Sequence, residues 1–194
     1  MSSHNLLARA LIDVGSAAVA SGPDRGAALL GEVWPHAVTP RTGRTITARQ
    51  RLTVFKADGF RCRYTGDIVL FPAYLRALSA LWPESFPYHR NGKSEVTHIA
   101  YWSHLASLEH LEPVATGGAE AEDNWITTSM ARNMVRSRFS LAALDWTVKP
   151  RAPLPDWDGG LGAMLDLLRA YPRLLDDEMH GKALRKWQRW AAEN

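Results

Sequence analysis

The sequence has very little cysteine and no long apolar run. Cys62 is the single cysteine among 194 residues, which excludes an internal disulfide and any zinc site built from several cysteines. No apolar run approaches the roughly 20 residues that a membrane helix needs. The first 14 residues carry no basic segment before an apolar block, and Asp13 interrupts them. We therefore expect no signal peptide and a cytoplasmic location.

Several common enzyme signatures are also missing. The chain has no P-loop, no GxSxG nucleophile elbow and no dinucleotide-binding fingerprint, so the enzyme classes that use them have little support. It has no internal repeat and no low-complexity tract. With 46% apolar and 22% charged residues, the composition is that of a globular protein long enough to bury a hydrophobic core.

The chain is mildly basic, with a formal net charge of +3 and a pI near 9.2. The distribution of charge is more informative than the total, because an acidic block lies between two basic clusters. This pattern suits a polyanion held against a bound cation, and it is equally typical of solvated helix faces. The first cluster contains Arg41, Arg44, Arg49, Arg51, Lys56, Arg61 and Arg63, the second Arg132, Arg136, Arg138, Lys149 and Arg151, and the acidic block Glu109, Glu112, Glu120, Glu122 and Asp123.

Hydrophobic spacing predicts a mostly helical chain with a short hairpin. Thr47 and Gln50 have the spacing of a capping box, 40–44 fits a loop, and the prolines between 150 and 155 fit a linker. The predicted elements are helices over 3–14, from Pro23 to about Trp34, over 48–57 and over 73–81, hairpin strands at 60–64 and 68–71, a strand opened by Asn124, and helical segments at 140–146, 161–168 and 183–191.

Residues 108–138 contain the most specific combination of polar side chains. Glu109 and His110 are adjacent and precede a glycine pair. Asn124 then opens the apolar strand, and Asn133 lies on a predicted basic helix. A histidine suits a general base because its unperturbed pKa is about 6.5. Carboxylate and amide oxygens are ligands that Mg²⁺ prefers, so this combination fits metal-assisted hydrolysis of a phosphodiester.

At these spacings the residues resemble the HNH endonuclease motif, the ββα-metal finger of homing endonucleases, DNase colicins and restriction enzymes. His110 and Asn124 are fourteen positions apart, and Asn124 and Asn133 are nine apart, as is typical of that family. Upstream, residues 51–66 are similar to the helix and hairpin that often precede the finger. The resemblance covers 51–66 and 108–138, about a quarter of the chain, and is weak elsewhere.

The resemblance implies a role for each matching position. His110 would be the general base, and Asn124 the asparagine that orients it. The Asn124 amide can act on the imidazole or pin the neighbouring loop. Glu109 and Asn133 would ligate one divalent cation, with Mg²⁺ preferred and Mn²⁺ or Ni²⁺ as alternatives. The expected nucleic-acid contacts are Arg132, Arg136, Arg138, Arg61 and Arg63.

Two departures from the family pattern concern metal ligands. Many relatives brace the finger with a zinc ion held by two CxxC pairs, and only one of those four cysteines is present here. We therefore expect no structural zinc, and packing by Trp125 and the C-terminal tryptophans must replace it. Glu109 stands where the family usually has aspartate, which lengthens the ligand arm by one methylene. The four zinc-ligand positions are occupied by Cys62, Thr65, Ser129 and Arg132.

The predicted fold class is α+β: a ββα-metal finger with a preceding helix and hairpin, embedded in a mostly helical domain. Residues 1–46 would form an N-terminal helical extension and 149–194 a C-terminal linker and helices. The nuclease core would span 47–148, with an insertion at about 84–107 that compact members lack. The histidines of that insertion are widely spaced and have no cysteine partners, so structural roles are favoured for His89, His98 and His104.

The expected function is metal-dependent hydrolysis of DNA in restriction, phage defence or mobile-element processing. One alternative is an HNH-type DNA-binding module that no longer cleaves. Another is an RNA-directed nuclease, which no aromatic RNA-recognition motif favours. Double-stranded DNA is the expected partner, no membrane partner is expected, and a homodimer is compatible with site-specific members of the family.

Overall fold

A computed structural model describes residues 3–34, 46–114, 117–137 and 139–192. The fold is α+β and mostly helical, with one small antiparallel sheet of two strands in this described part. No described helix has the length and apolar character needed to cross a membrane. The elements are α1 (Ser3–Ser21), α2 (Pro23–Val33), α3 (Ala48–Ala57), α4 (Pro72–Leu81), α5 (Ala100–Ser103), β1 (Ala106–His110), a 3₁₀ turn (Glu122–Asn124), β2 (Trp125–Ser129), α6 (Met130–Arg136), α7 (Leu141–Leu144), α8 (Leu161–Ala170), a second 3₁₀ turn (Pro172–Asp176) and α9 (Gly181–Ala192).

The N-terminal helices α1 and α2 pack against each other. α1 continues to Ser21, through the glycine, serine and alanine stretch that was expected to follow a helix ending at 14. Small residues allow α2 to approach closely, since a Cβ on Gly26 would lie 2.7 Å from the Cβ of Ala18. Alanine also has the highest helix propensity, which favours the longer helix. The predicted loop at 40–44 lies outside the described residues.

The predicted capping box at the start of α3 is confirmed. The Thr47 backbone N–H donates to Gln50 Oε1 at 2.9 Å, and the Gln50 N–H donates to Thr47 Oγ1 at 3.2 Å. These bonds satisfy two backbone donors that have no partner within the helix. α3 then buries Leu52 and Phe55 against the core.

The predicted hairpin at 60–71 forms a turn but no regular strand pair, which corrects the expectation of two strands. One antiparallel bridge joins Arg61 and Ile68. The backbone of Arg63 bonds to other segments: its N–H donates to Thr127 O at 2.8 Å, and its carbonyl accepts from Lys149 N at 2.7 Å. The chain turns directly after that bridge, with the Gly66 N–H donating to Cys62 O at 2.7 Å, and Arg63 lies within this turn.

The hydrophobic core joins the middle of the chain to the C-terminal helices. Phe60 lies 6.1 Å from Phe71, and Phe71 lies 4.9 Å from Trp187, between ring centroids. Met164 of α8 and Leu184 of α9 are fully buried in the same cluster. The helices predicted for the C-terminal segment are confirmed, and their tryptophans pack against the core as expected.

Asp58, directly after α3, links distant segments through a fully buried carboxylate. Its Oδ1 accepts from Arg63 Nη1 at 2.7 Å and from Arg151 Nε at 3.0 Å. Its Oδ2 accepts from the Thr127 backbone N–H of β2 at 2.7 Å. One carboxylate thus connects the end of α3, the 60–71 turn, β2 and the proline-rich segment near 150.

Candidate functional site

Glu109 and His110 lie at the end of β1, on a strand–strand–helix unit. β1 and β2 pair antiparallel, with Glu109 opposite Ile126 and His110 opposite Trp125. α6 follows β2 directly, and the Ser129 hydroxyl caps it by accepting from the backbone N–H of its third residue at 3.3 Å. The strand and the basic helix predicted from the sequence are therefore confirmed as elements, and together they place the predicted site residues on one unit.

Asn133 of α6 is bonded to β1 beside Glu109. Its Nδ2 donates to Ser107 Oγ and to Leu108 O, both at 2.8 Å. Residues two apart on a strand share a face, so Ser107 and Glu109 lie on the same side of β1. α6 therefore covers the Glu109 face. Since Nδ2 makes these bonds, Oδ1 is the Asn133 atom that remains for a further contact.

Arg136 is buried on the same side, with 1% of its surface exposed. Its Nη2 donates to Leu111 O at 2.9 Å. Burial raises the pKa of the neighbouring Tyr64 hydroxyl, the charge of Glu109 raises it further, and Arg136 opposes both effects. A buried guanidinium cannot reach a phosphate outside the fold, so the structure gives Arg136 an internal role in place of the predicted phosphate contact.

Arg61 and Arg63 are also used inside the fold. Arg61 donates to two backbone oxygens, one in its own turn and one on Ala152, each at 2.8 Å. Arg63 donates to Lys149 O at 2.6 Å and to the buried Asp58 carboxylate. Both guanidinium groups hold segments together, so the geometry does not favour the nucleic-acid contact expected from their positions in the sequence.

Arg132 is the predicted nucleic-acid contact that lies exposed on α6. Its guanidinium carbon is 5.1 Å from the ring centroid of Trp146, a cation–π arrangement that holds the side chain against the surface. Arg138 lies outside the described residues. Of the five arginines expected to bind nucleic acid, the described geometry leaves Arg132 available for a phosphate.

His110 occupies the other side of β1 and is 6% exposed. The indole N–H of Trp125 donates to His110 Nε2 at 3.2 Å, with the two rings perpendicular. A carboxylate oxygen of Glu120 lies 3.3 Å from the same nitrogen. From the sequence, Glu120 was expected only as a member of the acidic block. No local pattern predicts that the loop after the glycine pair brings Glu120 next to His110.

Asn124 pins the loop between the strands. Its Oδ1 accepts from the Glu112 backbone N–H at 2.8 Å, while its Nδ2 donates to the backbone oxygens of Glu112 and Ala119 at 2.9 and 2.8 Å. Gly118 permits the close approach, because a Cβ there would lie 1.9 Å from Glu112 O. Of the two roles open to Asn124 from sequence, the structure places its amide on the loop.

The four positions matched to the cysteine pairs of the HNH pattern line one cavity of about 200 Å³, together with Asp67 and Ser103 among others. Burial alone would raise the pKa of the Cys62 thiol, but hydrogen bonds with Thr128, Thr65 and nearby backbone groups lower it overall. The thiol lies 3.4 Å from Thr128 Oγ1. The turn after α3 and the start of α6 therefore lie next to each other, as the two cysteine pairs of the HNH pattern would require. The four positions are Cys62, Thr65, Ser129 and Arg132.

The histidines of the 84–107 segment make local contacts. The ring of His98 stacks on Phe86, with centroids 4.1 Å apart. Among the residues with described positions, no three His, Cys, Asp or Glu side chains form a metal-binding group. The Nδ1 atoms of the three histidines lie 2.7–3.2 Å from a hydrogen-bonding atom one or two residues away, in the pairs His89 with Asn91 N, His98 with Ala100 N, and His104 with Ser103 Oγ.

The chain was also compared with known proteins. No family model, no curated protein and no solved structure matches it.

Proposed function

We propose that the chain is a metal-dependent endonuclease of the HNH type, acting on DNA through His110 and one divalent cation. The observation that carries the proposal is the strand–strand–helix unit. It brings Asn133 of α6 onto the face of β1 that holds Glu109, with His110 next in sequence. These are the three positions to which the sequence resemblance assigns the base and the two metal ligands.

The cavity at the start of α6 supports the same proposal independently. Two pairs of positions, at 62 and 65 and at 129 and 132, are 64 or more residues apart in sequence and line one cavity. In relatives with a zinc brace the corresponding cysteines bind one ion. A common ancestry with such relatives explains why these positions meet although three of the cysteines are gone.

The donor atoms at the Glu109 face fit a hard divalent cation. Glu109 offers a carboxylate, and Asn133 has its Oδ1 left over once Nδ2 is bonded to β1. Mg²⁺ is commonly held by one or two protein oxygens, with water and substrate phosphate completing its ligands. Such an ion would stabilise negative charge on the leaving oxygen of a phosphodiester.

His110 and the loop supply the remaining chemistry. The imidazole takes a proton from water, the water oxygen bonds to phosphorus, the bond from phosphorus to the 3′ oxygen breaks, and the released 3′ oxygen takes a proton from a second water molecule. The products carry a 5′-phosphate and a 3′-hydroxyl, as the family resemblance implies. Asn124 holds the loop that faces His110. Arg132, which is exposed on α6, would contact a phosphate of the substrate.

Replacing Asn133 by alanine should raise the Mg²⁺ concentration needed for half-maximal cleavage by at least roughly tenfold, the lower end of the loss seen when metal-site partners are removed. Asn133→His should restore part of the affinity, because relatives carry either residue. A Mg²⁺ titration of plasmid cleavage measures the change, with Asn91→Ala in an exposed turn as the control. An unchanged titration curve in Asn133→Ala would reject the ligand assignment.

Restoring the three missing cysteines should create a metal site. The variant Thr65→Cys, Ser129→Cys, Arg132→Cys, with native Cys62, should bind one Co²⁺ with a tetrahedral thiolate absorption spectrum. With Zn²⁺ its melting temperature should rise by at least roughly 5 °C, which corresponds to about 2 kcal/mol for a chain of this size. Adding Cys62→Ser to that variant is the matched control. Failure to bind one equivalent of metal would contradict the proposed relationship, whatever the activity.

A further inference from the structure

His110 Nε2 has two neighbours: one favours the unprotonated nitrogen and the other favours the protonated nitrogen. Trp125 Nε1 can only donate a hydrogen bond, so its contact at 3.2 Å requires a lone pair on His110 Nε2. The Glu120 carboxylate can only accept, so its contact at 3.3 Å is favourable when Nε2 carries a proton. Nε2 cannot satisfy both partners at once.

The choice between the partners fixes which nitrogen can act as a base. When Nε2 accepts from Trp125, the proton of the neutral ring lies on Nδ1, and the lone pair that remains is already bonded. When Nε2–H donates to Glu120, the lone pair lies on Nδ1. Nδ1 has no hydrogen-bond partner within the part of the chain that the structure describes, so in this second form it is free for a water molecule.

We propose that Glu120 is a positioning residue for His110: it holds the imidazole with its proton on Nε2 and thereby directs the basic lone pair to Nδ1, in competition with Trp125. The Glu120 Oε2 atom is buried and has no aligned hydrogen-bond partner among the described residues, so its 3.3 Å approach to His110 Nε2 is an ion-pair contact with no described competitor for that oxygen. A carboxylate that fixes the tautomer of a histidine base is a recurring arrangement in hydrolases.

Hydrogen bonds and close packing fix the loop that carries Glu120. Asn124 bonds to both sides of the loop, at Glu112 and at Ala119, the residue next to Glu120. Gly118 closes the loop against Glu112 O with no room for a side chain. Because Asn124 fixes this loop, it acts on His110 through Glu120. This explains how an asparagine that does not bond to the imidazole can still orient it.

This inference rests on the proposed function and specifies how its base works. Glu120 also stabilises the imidazolium that forms when Nδ1 takes the proton from water, since the Nε2–H then faces a carboxylate. Glu120 contacts His110 and not the substrate, so its loss should lower kcat with KM nearly unchanged. We expect a fall of roughly 10- to 100-fold, part of the roughly 10²–10⁴-fold that a positioned base contributes.

Side-chain ¹⁵N NMR of His110 tests the proposal without any need for activity. Spectra are taken at about pH 8.5, where an ordinary histidine ring is neutral and its two nitrogens report the tautomer. Glu120→Ala and the equal-sized Glu120→Gln should shift the ring toward the Nδ1–H form. Trp125→Phe should shift it toward the Nε2–H form. Glu122→Ala, an exposed acid on the same loop, is the matched control.

The outcomes separate this inference from the proposed function. If the tautomer shifts as stated and kcat falls in both Glu120 variants, both proposals are supported. If the tautomer shifts while the wild-type chain cleaves no nucleic acid, Glu120 positions His110 and the proposed function is wrong. If neither Glu120 variant changes the tautomer relative to Glu122→Ala, the positioning role is overturned, even where cleavage is intact.

Discussion

Replacing His110 by alanine should lower the proposed rate of phosphodiester cleavage by roughly 10²–10⁴-fold, the usual contribution of a positioned general base. The imidazole is the described side chain beside Glu109 that can accept a proton from water near neutral pH. Its removal leaves the Glu109 and Asn133 oxygens in place, so binding of the cation and of DNA should persist. The loss therefore appears in kcat, measured as nicking of supercoiled plasmid at saturating Mg²⁺.

The matched control is His104→Ala, because His104 is exposed and its ring nitrogen Nδ1 lies 2.7 Å from Oγ of the neighbouring Ser103. This variant should cleave at the wild-type rate. Circular dichroism and melting temperature establish that His110→Ala remains folded, since His110 is largely buried. Nicking at a rate close to wild type by a folded His110→Ala protein would rule out the proposed base.

Asp58→Ala should lower the free energy of unfolding by about 3–5 kcal/mol, the cost of removing one partner from a buried ion pair. The Asp58 side chain is fully buried, and that of its partner Arg63 is 14% exposed. The substitution leaves the Arg63 charge and the buried Thr127 N–H without their acceptor. The Arg151 side chain is 55% exposed, so its contact contributes much less. Urea unfolding followed by tryptophan fluorescence measures the change.

Asp166→Ala provides the control for that measurement. Asp166 pairs with Arg169 on the surface of α8, with 71% and 73% of the two side chains exposed. Exposed pairs contribute about 0–1 kcal/mol, so this variant should be nearly as stable as the wild type. A loss below 1 kcal/mol in Asp58→Ala, or a similar loss in both variants, would show that the buried carboxylate does not organise the fold.

Local signals in the sequence predicted a large part of this fold. The capping box of Thr47 and Gln50 depends on two residues three apart, and the structure contains it. The strand after Asn124 and the helix that bears Asn133 also follow from local hydrophobic pattern. These features need no knowledge of distant contacts, because hydrogen bonds within four residues or a simple periodicity determine them.

Features that depend on distant partners were not predictable in the same way. The 60–71 segment pairs at a single bridge because the chain turns directly after it, and Arg63 in that turn bonds to the distant Thr127 and Lys149. The basic helix predicts that Arg136 is an exposed cation. In the structure Arg136 lies on the side of α6 that faces β1 and is buried. Glu120 reaches His110 only because Asn124 closes the intervening loop. In each case the role of the residue depends on contacts with segments that are distant in sequence.

The proposed hydrolysis of DNA with a divalent cation is tested most directly by a plasmid cleavage assay. Purified protein is incubated with supercoiled plasmid in Mg²⁺, Mn²⁺, Ni²⁺ or EDTA, and the products are separated on a gel. We expect nicked and linear DNA with at least one of the three metals and none in EDTA. Salt-sensitive DNA binding without products in any metal would contradict the claim and indicate a binding module, and undiminished cleavage in EDTA would contradict the role of the cation.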